Sequence, residues 1–72
     1  MELFIMRVTN RLKEIRMREY AEDPKEFSDR IGVKLKTYYT WETGNSIPAL
    51  KECLRVCNIL NKDVKEIWNL ED

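Results

Sequence analysis

Apolar residues recur at helical spacing through five successive stretches of the chain, and no run alternates strictly between apolar and polar as a surface strand would. The first stretch runs from Asn10 to about Glu19, capped by Asn10 or Thr9. Leu12, Ile15 and Tyr20 supply its inward face, and Arg11, Lys13 and Arg18 lie towards solvent. The second has a sharp start. Asp23 can accept from the free N–H groups of the opening turn, Pro24 needs no N–H at the first helical position, and Glu26 stands three residues after the cap. Phe27 and Ile31 make its inward stripe, and Gly32 ends it where a left-handed residue is wanted.

After Val33 a third helix is predicted from about Lys34 to Glu42. Leu35, Tyr38 and Trp41 share one side of it, and Lys36, Tyr39 and Thr40 point elsewhere. A fourth starts at Pro48 or Ala49 and runs to Leu60, with Leu50, Cys53, Leu54, Val56, Cys57 and Leu60 as a wide apolar face. Asn61 is a plausible left-handed end. Asp63 and Glu66 repeat the capping box, opening a fifth helix through Val64, Ile67, Trp68 and Leu70. The fold class expected is all-α, with Trp68 in the core or at a dimer edge.

Seventy-two residues amount to one small domain with little stability to spare. Thirteen basic and thirteen acidic side chains cancel, so the distribution carries the information. Arg7, Arg11, Lys13, Arg16 and Arg18 face Glu14 alone, and Lys34 and Lys36 face Glu42 alone. The acids gather at Glu19, Glu22, Asp23, Glu71 and Asp72. One basic side and one acidic side suit a surface turned towards a polyanion. Cys53 and Cys57, four apart on one helix, are poorly placed for a disulfide. With no histidine they cannot close a zinc site. Buried, reduced thiols fit a cytoplasmic protein. Neither a catalytic constellation nor a cofactor motif is present, so no enzyme, metal or cofactor is expected.

Met1–Met6 is too short to cross a membrane and lacks the features of a secretory signal. Residues 1–9 read as an arm and residues 10–70 as the domain. The arm admits three readings: an edge strand, an apolar segment packed on the core, or a dimer contact, with packing the default.

Two short helices with a glycine turn between them form the helix-turn-helix arrangement. The segments Arg11-Leu-Lys-Glu-Ile-Arg16, Phe27-x-x-x-Ile31-Gly32-Val33 and Thr37-Tyr-Tyr-Thr-Trp-Glu-Thr-Gly-Asn-Ser-Ile-Pro48 resemble the Cro/phage-repressor (xenobiotic-response-element type) helix-turn-helix family. The Trp-Glu-x-Gly-x-x-x-Pro string is the most specific piece. The resemblance covers about Asn10 to Leu70. It implies a compact five-helix, lambda-repressor-like domain that binds double-stranded DNA, with helices two and three as the motif.

In that family the second motif helix enters the major groove. The resemblance therefore turns Leu35, Lys36, Thr37, Tyr39 and Thr40 towards bases, with Thr37 alternatively packed inward or bonded to a phosphate. Lys34, Thr43, Asn45 and Ser46 flank the groove near phosphates. It also implies a structural ion pair between Arg16 and Glu42. Two departures stand out. The joint from Tyr20 to Asp23 is one residue longer than usual. Pro24 replaces the glutamine that clamps a phosphate, so that contact is either lost or taken over by Lys25. A neutral loop at Thr43–Ser46 implies weak, weakly salt-dependent non-specific binding.

A domain this small covers one half-site, so a weak homodimer formed or completed on DNA is expected. A regulator, as repressor or antitoxin-like autorepressor, leads. A protein-interaction module on the same fold is the alternative, favoured by zero net charge, Pro24 and the neutral loop.

Overall fold

The structure, a computed structural model, describes residues 7–71. The readings offered for Met1–Met6, and the acid at Asp72, lie outside the described residues.

A short strand, β1 (Arg7–Asn10), leads into α1 (Leu12–Ile15), which continues directly as a π-helical turn over Arg16–Tyr20. α2 (Pro24–Ile31), α3 (Leu35–Glu42) and α4 (Leu50–Leu60) follow, then the single turn of α5 (Val64–Ile67) and a second strand, β2 (Trp68–Glu71).

The all-α expectation is therefore corrected: a mostly helical domain carries a small antiparallel sheet. β1 pairs with β2 in the register Arg7 to Glu71, Val8 to Leu70, Thr9 to Asn69 and Asn10 to Trp68. The expected fifth helix stops at Ile67 for the same reason. Its carbonyl accepts the Arg11 N–H at 2.8 Å, and Trp68 swings to extended backbone (φ −117°, ψ 136°) to enter the ladder. Pairing with a strand about sixty residues away outweighs the local helical spacing of Val64, Ile67 and Trp68.

The cap chemistry written in the sequence operates at α2. Asp23 Oδ1 accepts the Glu26 N–H at 2.8 Å, and Glu26 Oε1 accepts the Asp23 N–H at 2.9 Å. Gly32 closes the helix in the left-handed region (φ 73°). Its N–H donates to Asp29 and that of Val33 to Ser28, which satisfies carbonyls the helix end leaves open. Arg55 adds a third link from α4, donating through Nη1 to the Ile31 carbonyl at 2.7 Å. Asn61 ends α4 in the same left-handed region, and Glu66 reaches back to the Asp63 N–H at 2.8 Å to start α5.

The chain enters the joint before α2 from the π turn. The Arg16 carbonyl accepts from Ala21 and, at 3.3 Å, from Glu22, and Ala21 takes φ 51° to reverse the chain.

Leu12, Ile15, Phe27, Ile31, Tyr38, Trp41, Val56, Leu60, Ile67 and Trp68 make one core, with Cys53 and Cys57 free thiols inside it. Burial pushes both thiols above the usual cysteine range. Phe27 packs edge-on against Tyr38 at 5.5 Å between ring centres, joining α2 to α3. The apolar face expected of α4 is only partly covered. Cys53, Val56, Cys57 and Leu60 are buried, but Leu50 is 69% and Leu54 48% exposed. The stripe spans a wider arc than the neighbouring helices cover. Among the described residues no helix is long and apolar enough to cross a membrane.

Candidate nucleic-acid interface

α3 is anchored from behind. Tyr38 is fully buried and Trp41 nearly so, while the opposite face carries exposed Lys36 and Tyr39 between half-buried Leu35, Thr37 and Thr40. Lys34 caps the helix, also exposed.

The anchor is polar as well as apolar. Arg16 Nε donates to the Tyr38 hydroxyl at 3.2 Å and lies 3.4 Å from Glu42 Oε2, and the Tyr38 hydroxyl donates to that same carboxylate oxygen. Arg16 Nη1 also donates to the Glu22 carbonyl at 2.8 Å. One guanidinium thus ties the π turn, the joint before α2 and two turns of α3. Burial, and then donation to Glu42, push the Tyr38 hydroxyl well above the usual tyrosine range. Burial pulls Arg16 down, but its bonds to Tyr38 and Glu42 outweigh that and leave it raised. The family pattern of an arginine facing the Trp-Glu glutamate says nothing about a tyrosine hydroxyl between them. Position 38, four residues before Glu42 on the same helix face, is the signal that was available.

The C-terminal end of α3 is held by Asn10. Its Nδ2 donates to the Trp41 carbonyl at 2.8 Å while its Oδ1 accepts the Leu12 N–H at 3.0 Å. Gly44, at φ 83°, turns the chain away from the helix, and its N–H donates to the same Trp41 carbonyl at 3.1 Å.

The flanking side chains divide into free and committed groups. Lys34, Lys36 and Asn45 have no hydrogen-bond or ion-pair partner among the described residues. Lys25 Nζ is bonded to Asp29 at 2.9 Å, in an exposed pair one helical turn apart. The Thr43 hydroxyl donates back to the Tyr39 carbonyl at 2.8 Å. The Ser46 hydroxyl donates to Thr40 Oγ1, and the Thr40 hydroxyl to the Thr37 carbonyl. Three hydroxyl donors in this region are therefore already spent on the chain itself.

An open groove of about 640 Å³ lies beside this loop, lined on one side by β1 from Arg7 to Asn10 and on the other by Glu42, Thr43, Gly44 and Ile47. It brings the exposed Arg7 to the neutral loop after α3. Sequence spacing gave no hint of this, because Arg7 and Thr43 face one groove only through the placement of β1. Among the described residues no group of cysteine and carboxylate side chains is assembled to hold a metal.

The helix-turn-helix family model matches residues 12–67, most of the chain. No curated protein and no solved structure gives a match. This chain belongs to the helix-turn-helix family of the Cro/phage-repressor type. Membership makes it a DNA-binding domain of the kind that regulates transcription, with double-stranded DNA as its partner.

Proposed function

We propose that the protein is a sequence-specific, non-enzymatic repressor acting in the cytoplasm, with α2 and α3 as the motif and α3 inserted in the major groove. The observation that carries this is the division of α3. Buried Tyr38 and Trp41 and the Arg16–Tyr38–Glu42 lock hold one face rigidly, and the other presents an exposed Tyr39 and a Lys36 without a partner among the described residues. A rigid helix with one free polar face is what groove reading requires.

In this arrangement Lys36 donates to guanine O6 or N7, Tyr39 reaches a base or phosphate, and Leu35, Thr37 and Thr40 supply close apolar and shape contacts. Lys34 and Asn45, whose donors have no partner among the described residues, hold phosphates on either side. Lys25 serves the same purpose once it exchanges Asp29 for the backbone, and Thr43 and Ser46 contribute chiefly through position. Two copies on a two-fold operator supply the affinity that one half-site lacks.

Titration of a generic duplex at low and moderate salt tests the partner. Retention that falls with salt is expected, and no retention at low salt contradicts the proposal. The protein-interaction alternative draws on one observation, the apolar groove on α4 lined by exposed Leu50 and Leu54 with Lys51, Arg55 and Asn58. A chain that binds no DNA at low salt returns the question to that face.

A further inference from the structure

Thr40 lies on the flank of α3, and its hydroxyl is engaged within the chain at both ends. Its single proton is donated to the Thr37 carbonyl at 2.7 Å, and its oxygen accepts from Ser46 Oγ at 2.8 Å. Ser46 is itself held in place, since its N–H donates to the Thr40 carbonyl at 3.1 Å. The donors run in one direction, from Ser46 to Thr40 to the Thr37 carbonyl. A hydroxyl has one donor, so Thr40 can donate to a base only by giving up the Thr37 carbonyl.

A helical threonine ordinarily divides between two side-chain rotamers. Two hydrogen bonds on Oγ1 select one of them here and so fix the γ-methyl as well. What Thr40 keeps for a partner is that methyl group and one acceptor lone pair, with no donor, on a helix whose neighbouring residues Lys36 and Tyr39 are exposed.

We propose that Thr40 reads the 5-methyl group of a pyrimidine through apolar contact, with Ser46 as the positioning residue that holds its rotamer. The ligand feature is a thymine, or equally a 5-methylated cytosine, because both carry the same methyl in the major groove. This rests on α3 entering that groove. It goes further in assigning Thr40 to methyl recognition and excluding it from donating a hydrogen bond to a base edge.

The test uses the full chain and a duplex selected by it from a random pool, with each thymine replaced in turn by deoxyuridine, which removes only the methyl. One thymine per half-site is expected to show weakening of about fourfold, the value of one buried methyl. Thr40→Val keeps the methyl and loses the hydroxyl, and should retain that sensitivity. Thr40→Ser does the reverse and should lose it. Matching helical content and melting establish that both variants fold. No sensitive thymine, or sensitivity kept by Thr40→Ser and lost by Thr40→Val, overturns the assignment. Loss of all duplex binding by the wild-type chain is a separate outcome, which overturns groove insertion and this assignment with it.

Discussion

Arg16 and Tyr38, twenty-two residues apart, meet through a hydrogen bond from the guanidinium Nε to the buried phenol oxygen at 3.2 Å. The phenol in turn donates a hydrogen bond to Glu42, so the ion pair across the domain is bridged by a hydroxyl. Buried pairs of this kind fix geometry more than they add stability, and here the geometry fixed is the angle of α3 against the π turn.

Tyr38→Phe removes the bridge and leaves the Arg16–Glu42 approach at 3.4 Å to serve alone. A loss of about 1–2 kcal/mol is expected in chemical denaturation, the cost of an unmade buried hydrogen bond. Alkali gives a second readout. The folded phenol is raised above the ordinary value of 10.0, so the unfolded chain ionises first and binds fewer protons above that pH. Its contribution is therefore fully present below about pH 10 and is lost as pH rises beyond it. Tyr38→Phe should flatten this part of the alkaline fall, and an unchanged profile would contradict the buried phenol.

Two left-handed residues should respond in opposite directions to exchange between glycine and alanine. Gly32 (φ 73°) has Arg55 Nη1 3.1 Å from where a Cβ would stand, and that nitrogen caps α2. Gly32→Ala should cost about 1–2 kcal/mol through backbone strain and a displaced cap. Ala21 (φ 51°) already bears the strain, and Ala21→Gly should be neutral or stabilising by up to about 1 kcal/mol. Thermal or urea unfolding of both variants decides it.

Arg7 stands across an open groove from Thr43 and Gly44, where the loop itself has no cation. Arg7→Ala should weaken duplex binding evenly across sequences and reduce the slope of log affinity against log salt by about 1 per site. An unchanged slope would show that β1 stays clear of the DNA backbone.

What was legible in the sequence was local. Asp23, Pro24 and Glu26 start α2, Gly32 and Asn61 stop helices, and Phe27, Ile31, Tyr38 and Trp41 face the core, because each signal acts within one or two turns. The sheet was not legible. Each strand has four residues, the partners lie at opposite ends of the described chain, and Trp68 continues a helical pattern that only the ladder with Asn10 overrides. The π turn was not legible either, because it depends on where the Arg16 carbonyl finds its donors.

At the candidate site the residue types could be read, but their availability could not. Thr40, Thr43 and Ser46 look like free donors in the sequence. Only the rotamers reveal that their protons are spent on the chain itself, while Lys34, Lys36 and Asn45 remain unpartnered among the described residues.

The central claim is that the outer face of α3 reads bases. Selection from a randomised duplex pool, followed by sequencing, tests it most directly, with wild-type chain and Lys36→Ala compared under the same salt. The wild type should enrich a roughly two-fold symmetric motif. Lys36→Ala should lose preference at one guanine per half-site, by about tenfold or more, and keep the rest. An enriched motif that Lys36→Ala leaves untouched at every position, or no enrichment by the wild type at all, would contradict it.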